Sequence, residues 1–255
     1  MSTVLATYNI KGGVGKTSAA VNLAYLGAHD GSQTLLWDLD PQGASTYLFR
    51  IRPKIKGGGR KLVRLRSDVA ELIKGTDYEG LDLLPADFSY RHMDLALDSF
   101  KRPTQRLARV LEPLRGEYDY VFLDCPPSIS LVSESVFEAA DALLVPIIPA
   151  TLSSRTFEQL EEVLGGNRGG GPLILAFFSM VDRRKRLHRD VIEQLRGQWP
   201  GVLRSEIPAS AEIERMGARR AVVAAYAPGG KAAQAYEALW EELKPRLDEY
   251  APRTR

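Results

Sequence analysis

A glycine-rich run near the start of the chain has the residue types that bind phosphate. Residues 11–18 read Lys-Gly-Gly-Val-Gly-Lys-Thr-Ser, between an apolar stretch over Val4–Tyr8 and a helical pattern over Thr17–His29. Glycines let backbone N–H groups converge on an anion without Cβ clashes, and the following helix N-terminus adds free donors and partial positive charge. Lys16 can reach the outer phosphates, and the Thr17 hydroxyl can bind Mg²⁺. The run predicts a nucleotide site.

The loop departs from the common phosphate-binding pattern at its beginning. Ile10 stands where the common pattern has its first glycine, and a second lysine, Lys11, begins the loop. This is the deviant Walker A motif, and the chain resembles the ParA/MinD/Soj group of Walker-type ATPases, closest to small ParA-like members without an N-terminal helix-turn-helix. The resemblance implies a homodimer that sandwiches two ATP molecules, in which Lys11 contacts the ATP of the other copy. A glycine turn that binds nothing is the alternative, but eight consecutive positions fit the motif.

Aspartates end two of the apolar stretches. Asp38 and Asp40 follow Thr34–Trp37 and precede Pro-Gln-Gly, whereas Asp124 ends a later apolar run and precedes a cysteine and two prolines. An apolar strand that ends in aspartate is the Walker B pattern, so we expect Asp124 to hold Mg²⁺ through water while Thr17 binds it directly. The resemblance implies that Asp40 orients or activates the attacking water and that Asp38 supports the Mg²⁺ shell. A charged turn at a strand end is the alternative reading of Asp38 and Asp40.

The predicted site is therefore an ATP and Mg²⁺ site with three sets of residues. The predicted catalytic residues are Lys11, Lys16 and Asp40, and the predicted metal ligands are Thr17, Asp38 and Asp124. The predicted nucleotide-binding residues are Lys11, Gly12, Gly13, Val14, Gly15, Lys16, Thr17, Ser18, Met180 and Pro208. Met180 and Pro208 are included because the resemblance places these two strand ends near the adenine.

Apolar runs alternate with helical patterns along the rest of the chain. Predicted strands are Val4–Tyr8, Thr34–Trp37, Leu81–Leu84, Tyr120–Leu123, Ala142–Ile147, Leu173–Phe178 and Val202–Ser205. Predicted helices are Thr17–His29, Thr104–Leu114, Leu131–Ala139, Ser153–Leu164, Leu187–Gln198 and Lys231–Leu247. Continuous apolar strands separated by helices predict an α/β fold, a doubly wound, mostly parallel sheet with helices on both faces and the ligand at the strand C-termini. We expect a single P-loop NTPase domain over residues 1–255.

Composition narrows the function classes. The chain has 255 residues, 44% of them hydrophobic and 26% charged, with a formal net charge of +2. One cysteine excludes a disulfide framework and a cysteine-ligated cluster within one chain, and the three histidines are too far apart for a zinc motif. No apolar run reaches the ~18 residues of a membrane span, so we expect a cytoplasmic protein without such a span. The resemblance implies that it is nucleoid-associated.

Basic residues concentrate in three places despite the small net charge. Residues 50–66 hold eight basic residues and no acidic one around Gly57-Gly58-Gly59, and we interpret this run as a flexible loop that either binds phosphates or is solvated surface. The other two clusters follow residues 182 and 214. The resemblance implies non-specific DNA binding by the ATP dimer through such residues, which needs charge rather than a base-reading helix. Predicted DNA-binding residues are Arg183, Arg184, Lys185, Arg186, Arg189, Arg215 and Arg219.

The motifs and the resemblance together predict a Mg-ATP-dependent, dimerising ATPase. It is expected to bind nucleoid DNA and to position a chromosome, a plasmid or a protein assembly, with a ParB-like protein or another adaptor that stimulates hydrolysis. Two alternatives remain open at this point. A MinD-like membrane-associated ATPase would need a basic amphipathic C-terminal helix, which Pro245 is expected to interrupt. A metabolic ATP-dependent enzyme on the same fold is the other.

Overall fold

A central eight-stranded sheet organises the protein. The computed structural model describes residues 2–153, 155, 158, 159, 162, 171–199 and 201–250. The strands are β1 Thr3–Thr7, β2 Thr34–Asp38, β3 Lys74–Gly75, β4 Leu81–Leu84, β5 Tyr120–Asp124, β6 Ala142–Ile147, β7 Leu173–Val181 and β8 Val202–Pro208. Their order in the sheet is β3-β4-β2-β5-β1-β6-β7-β8. Only the two-residue pairing of β3 with β4 is antiparallel among these strands, so the predicted mostly parallel α/β sheet is confirmed.

Helices cover both faces of the sheet. Those of the described residues are α1 Lys16–His29, α2 Ala44–Leu48, α3 Gly58–Val63, α4 Met93–Asp98, α5 Arg106–Leu111, α6 Leu131–Ala139, α7 Arg186–Gln198, α8 Ala211–Glu214, α9 Met216–Arg219, α10 Val223–Tyr226 and α11 Lys231–Glu249. One apolar core lies under α3 to α7, and the other lies under α1, α2 and α8 to α11. This two-sided burial explains why the strands are continuously apolar. None of the described helices has the length and hydropathy that crossing a bilayer requires.

Two local predictions are wrong. The basic run at residues 50–66 is not a flexible loop, because its middle forms α3 and three of its apolar side chains, Ile55, Leu62 and Val63, are buried in the core. Pro245 does not interrupt the last helix either. Helix α11 continues through Pro245 to Glu249, since its buried apolar face outweighs the loss of one backbone donor. The predicted helix Ser153–Leu164 falls largely on residues outside the described ranges.

Helix α11 is fastened to the sheet and to α1 by one tryptophan. Trp240 is 2% exposed, its Nε1 donates a 2.8 Å hydrogen bond to Asp30 Oδ2, and its ring meets that of Tyr120 edge-on at 5.1 Å. Gly27 of α1 packs near this ring, since an added Cβ would lie 3.6 Å from Trp240 Cζ2, an ordinary van der Waals distance. The side chain therefore joins three elements of one face.

We predict that Trp240→Ala lowers the free energy of unfolding by about 3–5 kcal/mol, because a large cavity opens and Asp30 Oδ2 loses one of its two donors, keeping only Lys244. Urea denaturation followed by circular dichroism measures the change. Leu95→Ala is the control, since Leu95 is 74% exposed and its truncation should cost no more than about 0.5 kcal/mol. Equal effects of the two substitutions would contradict this account of the core.

Candidate nucleotide-binding site

The glycine-rich loop lies at the C-terminal end of β1 and opens directly into α1. Asn9 holds its entry, because Asn9 Nδ2 donates to Pro146 O at 2.8 Å and Asn9 Oδ1 accepts from the Lys11 backbone N–H at 2.9 Å. Gly13 and Gly15 have φ values of 72° and 96°, in the left-handed region that favours glycine. The loop thus has the left-handed turns that let backbone N–H groups face a phosphate.

The two lysines of the loop have different surroundings. Lys16 is buried, and its Nζ donates a 2.9 Å hydrogen bond to Lys11 O, so the ammonium folds back across the loop. Burial lowers the pKa of Lys16, and the nearby Asp124, Cys125 and Asp40 oppose that shift. The side chain of Lys11 is exposed. Lys16 can therefore reach phosphate oxygens within its own loop, whereas Lys11 is free to reach outward.

Asp124 lies at the end of β5 and is wholly buried. Its Oδ2 accepts a 2.7 Å hydrogen bond from Ser45 Oγ, whereas its Oδ1 accepts none among the described residues. Burial raises the pKa of Asp124 to about 6, although Ser45, Thr17 and Lys16 each lower it. A buried carboxylate oxygen without a partner beside a threonine hydroxyl fits Mg²⁺, which prefers oxygen ligands and binds through one or two protein oxygens plus phosphates. Consistently, no cluster of three or more His, Cys, Asp or Glu side chains suited to a metal occurs in the described ranges.

Asp38 ends β2 directly beside Asp124, with which it is paired in register. Its Oδ2 accepts hydrogen bonds from the Thr46 N–H at 2.8 Å and the Thr46 hydroxyl at 2.7 Å, and its Oδ1 accepts from the Asp40 N–H at 3.2 Å. Burial, and then repulsion by Asp124, raise the pKa of Asp38 to about 7. The structure gives Asp38 a role in holding the following turn, and its place in the Mg²⁺ shell stays a prediction.

Asp40 lies in the turn between β2 and α2 and is half-buried. Its Oδ1 accepts from the Gln42 N–H at 2.9 Å, and its carbonyl accepts from the Gly43 N–H at 2.9 Å. The Asp40 carboxylate raises the pKa of both Lys16 and Asp124, so it lies within electrostatic range of the phosphate loop. This placement fits a group that orients water at the γ-phosphate, which stays a prediction for Asp40.

The ends of β7 and β8 reach the same edge of the sheet. Ser179 lies against the phosphate loop, because a Cβ added to Gly15 would be 2.7 Å from Ser179 Oγ. The next residue, Met180, is exposed and has a φ of 55° within the strand, and Val181 is paired with Pro208. Met180 and Pro208 are thus brought beside the loop, as an adenine site requires, while base contact by either residue stays a prediction.

Most of the predicted DNA-binding arginines that follow β7 are engaged with acidic side chains. Ion pairs join Arg183 to Glu206 at 2.9 Å, Arg184 to Asp182 at 2.9 Å and Arg186 to Asp190 at 3.5 Å. Hydrogen bonding by Arg184 lowers the pKa of Asp182 to about 2. Arg189 donates to the backbone carbonyl of Arg183 at 2.7 Å. Positive and negative charges therefore alternate on this surface.

The other two predicted DNA-binding residues, Arg215 and Arg219, are exposed on the short helices after β8. Glu212, three residues before Arg215, lies against the start of α11. Its Oε2 accepts a 3.3 Å hydrogen bond from the Ala232 N–H, and a Cβ on Gly230 would meet its Oε1 at 2.6 Å. Glu212 therefore stabilises a helix N-terminus instead of meeting phosphate.

Sequence reasoning missed the polar residues that support the site. Ser45 and Thr46 of α2 bind Asp124 and Asp38, Asn9 shapes the loop, and the Tyr8 hydroxyl donates to Ser128 O at 2.9 Å in the segment after Asp124. Ser45 and Thr46 follow the Asp-Pro-Gln-Gly turn closely, but their partners depend on β5 lying beside β2, which the local sequence does not encode.

The fold and the site define a Walker-type P-loop NTPase. The AAA domain family matches residues 2–165. The chromosome-partitioning ATPase Soj of Thermus thermophilus is 34% identical, with 96% of each chain covered, and the chromosome partitioning protein ParA of Myxococcus xanthus is 30% identical over 99% of this chain and 91% of its own. A cobyrinic acid a,c-diamide synthase from Mycobacterium smegmatis, solved with ADP and magnesium, superposes with a TM-score of 0.83 at 27% identity, covering 97% of this chain and 96% of its own.

The chain belongs to the ParA/MinD/Soj group of deviant Walker A ATPases, as the sequence predicted. The predicted cofactors, ATP and Mg²⁺, agree with the donor set of the loop and with the ligands of the solved synthase.

We predict that Lys16→Ala and Thr17→Ala both weaken the binding of Mg-ATP. Loss of the Lys16 ammonium removes a charge-assisted contact of about 1.5–3 kcal/mol, which corresponds to roughly 10–100-fold in affinity. The Thr17 substitution should act only when Mg²⁺ is present, because it removes a metal ligand. Isothermal titration calorimetry with and without Mg²⁺ measures both effects, and Lys74→Ala on β3 is the control. Unchanged ATP affinity and turnover in both variants would contradict the assignment of Lys16 and Thr17 to the Mg-ATP site.

The buried pair of Asp38 and Asp124 predicts a pH effect on the metal-free protein. Both pKa values are raised, to about 7 and about 6, so the folded state binds protons more tightly than the unfolded state. This contribution to stability is full below about pH 4 and is lost as the pH rises to about 7. Urea denaturation in EDTA at pH 5 and pH 8 measures it. Asp124→Asn should show a smaller decrease than the wild type, and an equal decrease would contradict the coupling.

Proposed function

We propose that this chain is a Mg²⁺-dependent ATPase that dimerises around two ATP molecules, binds DNA non-specifically in that state and so positions a cargo. The observation that carries the proposal is that the two lysines of the loop differ in burial and in direction. Lys16 is enclosed by its own loop and the carboxylates, whereas Lys11 projects from the surface at the same loop. A single copy offers Lys11 no phosphate on its outer side, and a second copy facing it would.

The ATP site of each copy positions the phosphates and the attacking water, and it supplies positive charge for phosphoryl transfer. Lys16 and the loop N–H groups neutralise the phosphate oxygens, and Thr17 and Asp124 would hold Mg²⁺, which supplies further positive charge at the β- and γ-phosphates. Asp40 holds water in line with the γ-phosphate, and the turn that carries Asp40 is fixed by Asp38 and Thr46. Lys11 of the second copy adds a cation, so hydrolysis depends on assembly of the dimer.

The output of such a cycle is release of the dimer from DNA after hydrolysis. An adaptor, a ParB-like protein or another cargo-bound protein, is proposed to stimulate that step. The cargo is a chromosome, a plasmid or a protein assembly, and the adaptor determines which. The relatives with partition names favour the first two.

The dimer is tested with Lys11→Ala in an Asp40→Ala background. Asp40→Ala should slow turnover by about 10²-fold or more and thereby trap the ATP dimer, at twice the 28.2 kDa of one chain. Adding Lys11→Ala should leave ATP binding nearly intact and yield monomers, because the charge that bridges the copies is gone. Multi-angle light scattering with ATP and Mg²⁺ measures both variants.

The matched control for the dimer experiment is Lys56→Ala in the same Asp40→Ala background, which removes an exposed lysine outside the loop. It should dimerise like its parent. A Lys11→Ala, Asp40→Ala protein that also dimerises like the parent would refute the role of Lys11.

A further inference from the structure

The basic segment, residues 50–66, has more unbalanced charge than either of the other two basic clusters. Its sequence contains no aspartate or glutamate. Arg64 is half-buried and the other basic side chains of the segment are exposed. The eight basic residues are Arg50, Arg52, Lys54, Lys56, Arg60, Lys61, Arg64 and Arg66.

The basic segment is held on the body of the protein. The Ile55 N–H donates to Asp87 Oδ2 at 2.9 Å, the Gly59 N–H donates to Ser89 Oγ at 2.8 Å, and Arg106 Nη2 donates to Val63 O at 2.6 Å. Gly59 lies so close to Tyr90 that a Cβ would meet the ring at 2.7 Å. Ile55, Leu62 and Val63 face inward and most of the basic side chains face out, so the backbone that carries the charges is in place before any ligand arrives, which lowers the entropic cost of binding.

Few acidic groups face these charges. In the described residues, the ion pairs of the basic segment comprise only Arg50 with Asp77, while Lys54 is near enough to Asp87 to lower the pKa of that carboxyl. In the cluster after β7, three of the five basic residues are paired with Glu206, Asp182 and Asp190. An anion approaching that cluster meets carboxylates as well as arginines, whereas an anion approaching the basic segment meets an almost uniformly positive surface.

The basic segment also touches the turn that carries Asp40. A Cβ on Gly43 would lie 3.3 Å from Pro53 Cβ, and the Gly43 N–H is bonded to Asp40 O. Across the turn, Thr46 Oγ1 accepts from the Ala86 N–H at 2.8 Å, just before Asp87. The turn at residues 40–43 therefore contacts the basic segment and also carries Asp40 of the nucleotide site.

We propose that the basic segment is a DNA-phosphate-binding surface, and that it contributes more phosphate contacts than the cluster after β7. The proposal rests on the DNA-binding part of the proposed function and assigns its surface. Phosphate contacts need several cations on one surface and no base-reading helix, and the segment presents exposed cations on a backbone that is held in place. An anionic membrane is the weaker match, since such a surface helix inserts an apolar face and the apolar residues of α3 are buried in the core.

The test compares three variants of the Asp40→Ala protein in its ATP-bound state. The first is Lys56→Gln with Arg60→Gln and Lys61→Gln. The second is Arg184→Gln with Arg186→Gln, in the cluster after β7. The third, Lys74→Gln with Lys101→Gln and Arg102→Gln, removes three exposed cations elsewhere and matches the net charge of the first. Fluorescence anisotropy on two unrelated DNA duplexes over a range of salt concentrations gives the affinity and its salt dependence.

The first variant should lose at least tenfold in affinity on both duplexes. Its slope of log K against log salt should be smaller by about 3 for each protomer whose basic segment contacts the duplex, near 1 per contact removed. The second variant should lose less than the first, and the third should stay close to the parent. Light scattering should show an intact dimer in all three.

Two results would overturn the assignment and separate it from the proposed function. If the parent binds DNA and the first variant binds equally well, the surface lies elsewhere while the DNA-binding function stands. If the parent does not bind DNA at low salt, both proposals fail. Sedimentation with phosphatidylserine vesicles is run in parallel, and vesicle binding that depends on Lys56, Arg60 and Lys61 without DNA binding would identify a membrane surface instead.

Discussion

The buried carboxylate of Asp124 is the constraint on which the rest of the site depends. Removing a charge from water is costly, and a buried aspartate persists only with compensating donors and cations. Here Ser45 supplies a donor, Thr17 and Lys16 lie beside it, and one oxygen is left without a partner. The oxygen without a partner is the reason for our proposal that Asp124 holds a divalent cation, because such a cation would satisfy that oxygen.

The same constraint shapes the chain that follows β2. Asp38 lies in register with Asp124, and two adjacent buried carboxylates repel each other unless each is held by donors or a proton. Thr46 and the Asp40 N–H supply those donors, and they can do so only because Gly43 turns the backbone with a φ of 68° and starts α2 there. The donors that hold the buried Asp38 carboxylate therefore also hold the turn that carries Asp40. No further helix or strand is needed to fix the position of Asp40.

The sequence predicted most of the strands because a strand that is buried on both faces has a continuous run of apolar residues. Observed boundaries such as Leu173–Val181 differ from prediction by a few residues at the strand end. The sequence pattern did not predict α2 and α3, because helices of five and six residues owe their stability to tertiary contacts rather than to propensity. The loop and the aspartates were readable because their chemistry is local. The roles of Ser45 and Thr46 were not, because they depend on β5 lying beside β2, and no local pattern encodes that neighbour.

The buried side-chain amide of Asn22 connects the first turns of α1 to the segment between Met216 and Val223. Asn22, in the second turn of α1, donates to Ser18 O at 2.7 Å and to Met216 Sδ at 3.4 Å, and its Oδ1 accepts from the Val223 N–H at 2.9 Å. A buried amide with its donor and acceptor both satisfied fixes the geometry of what it joins. The segment between Met216 and Val223 includes Arg219, so this exposed cation stands on backbone that is positioned by the first turns of the phosphate helix. Since Gly43 of the Asp40 turn likewise lies against Pro53 of the basic segment, both positive surfaces are built on backbone that contacts either the phosphate helix or the Asp40 turn.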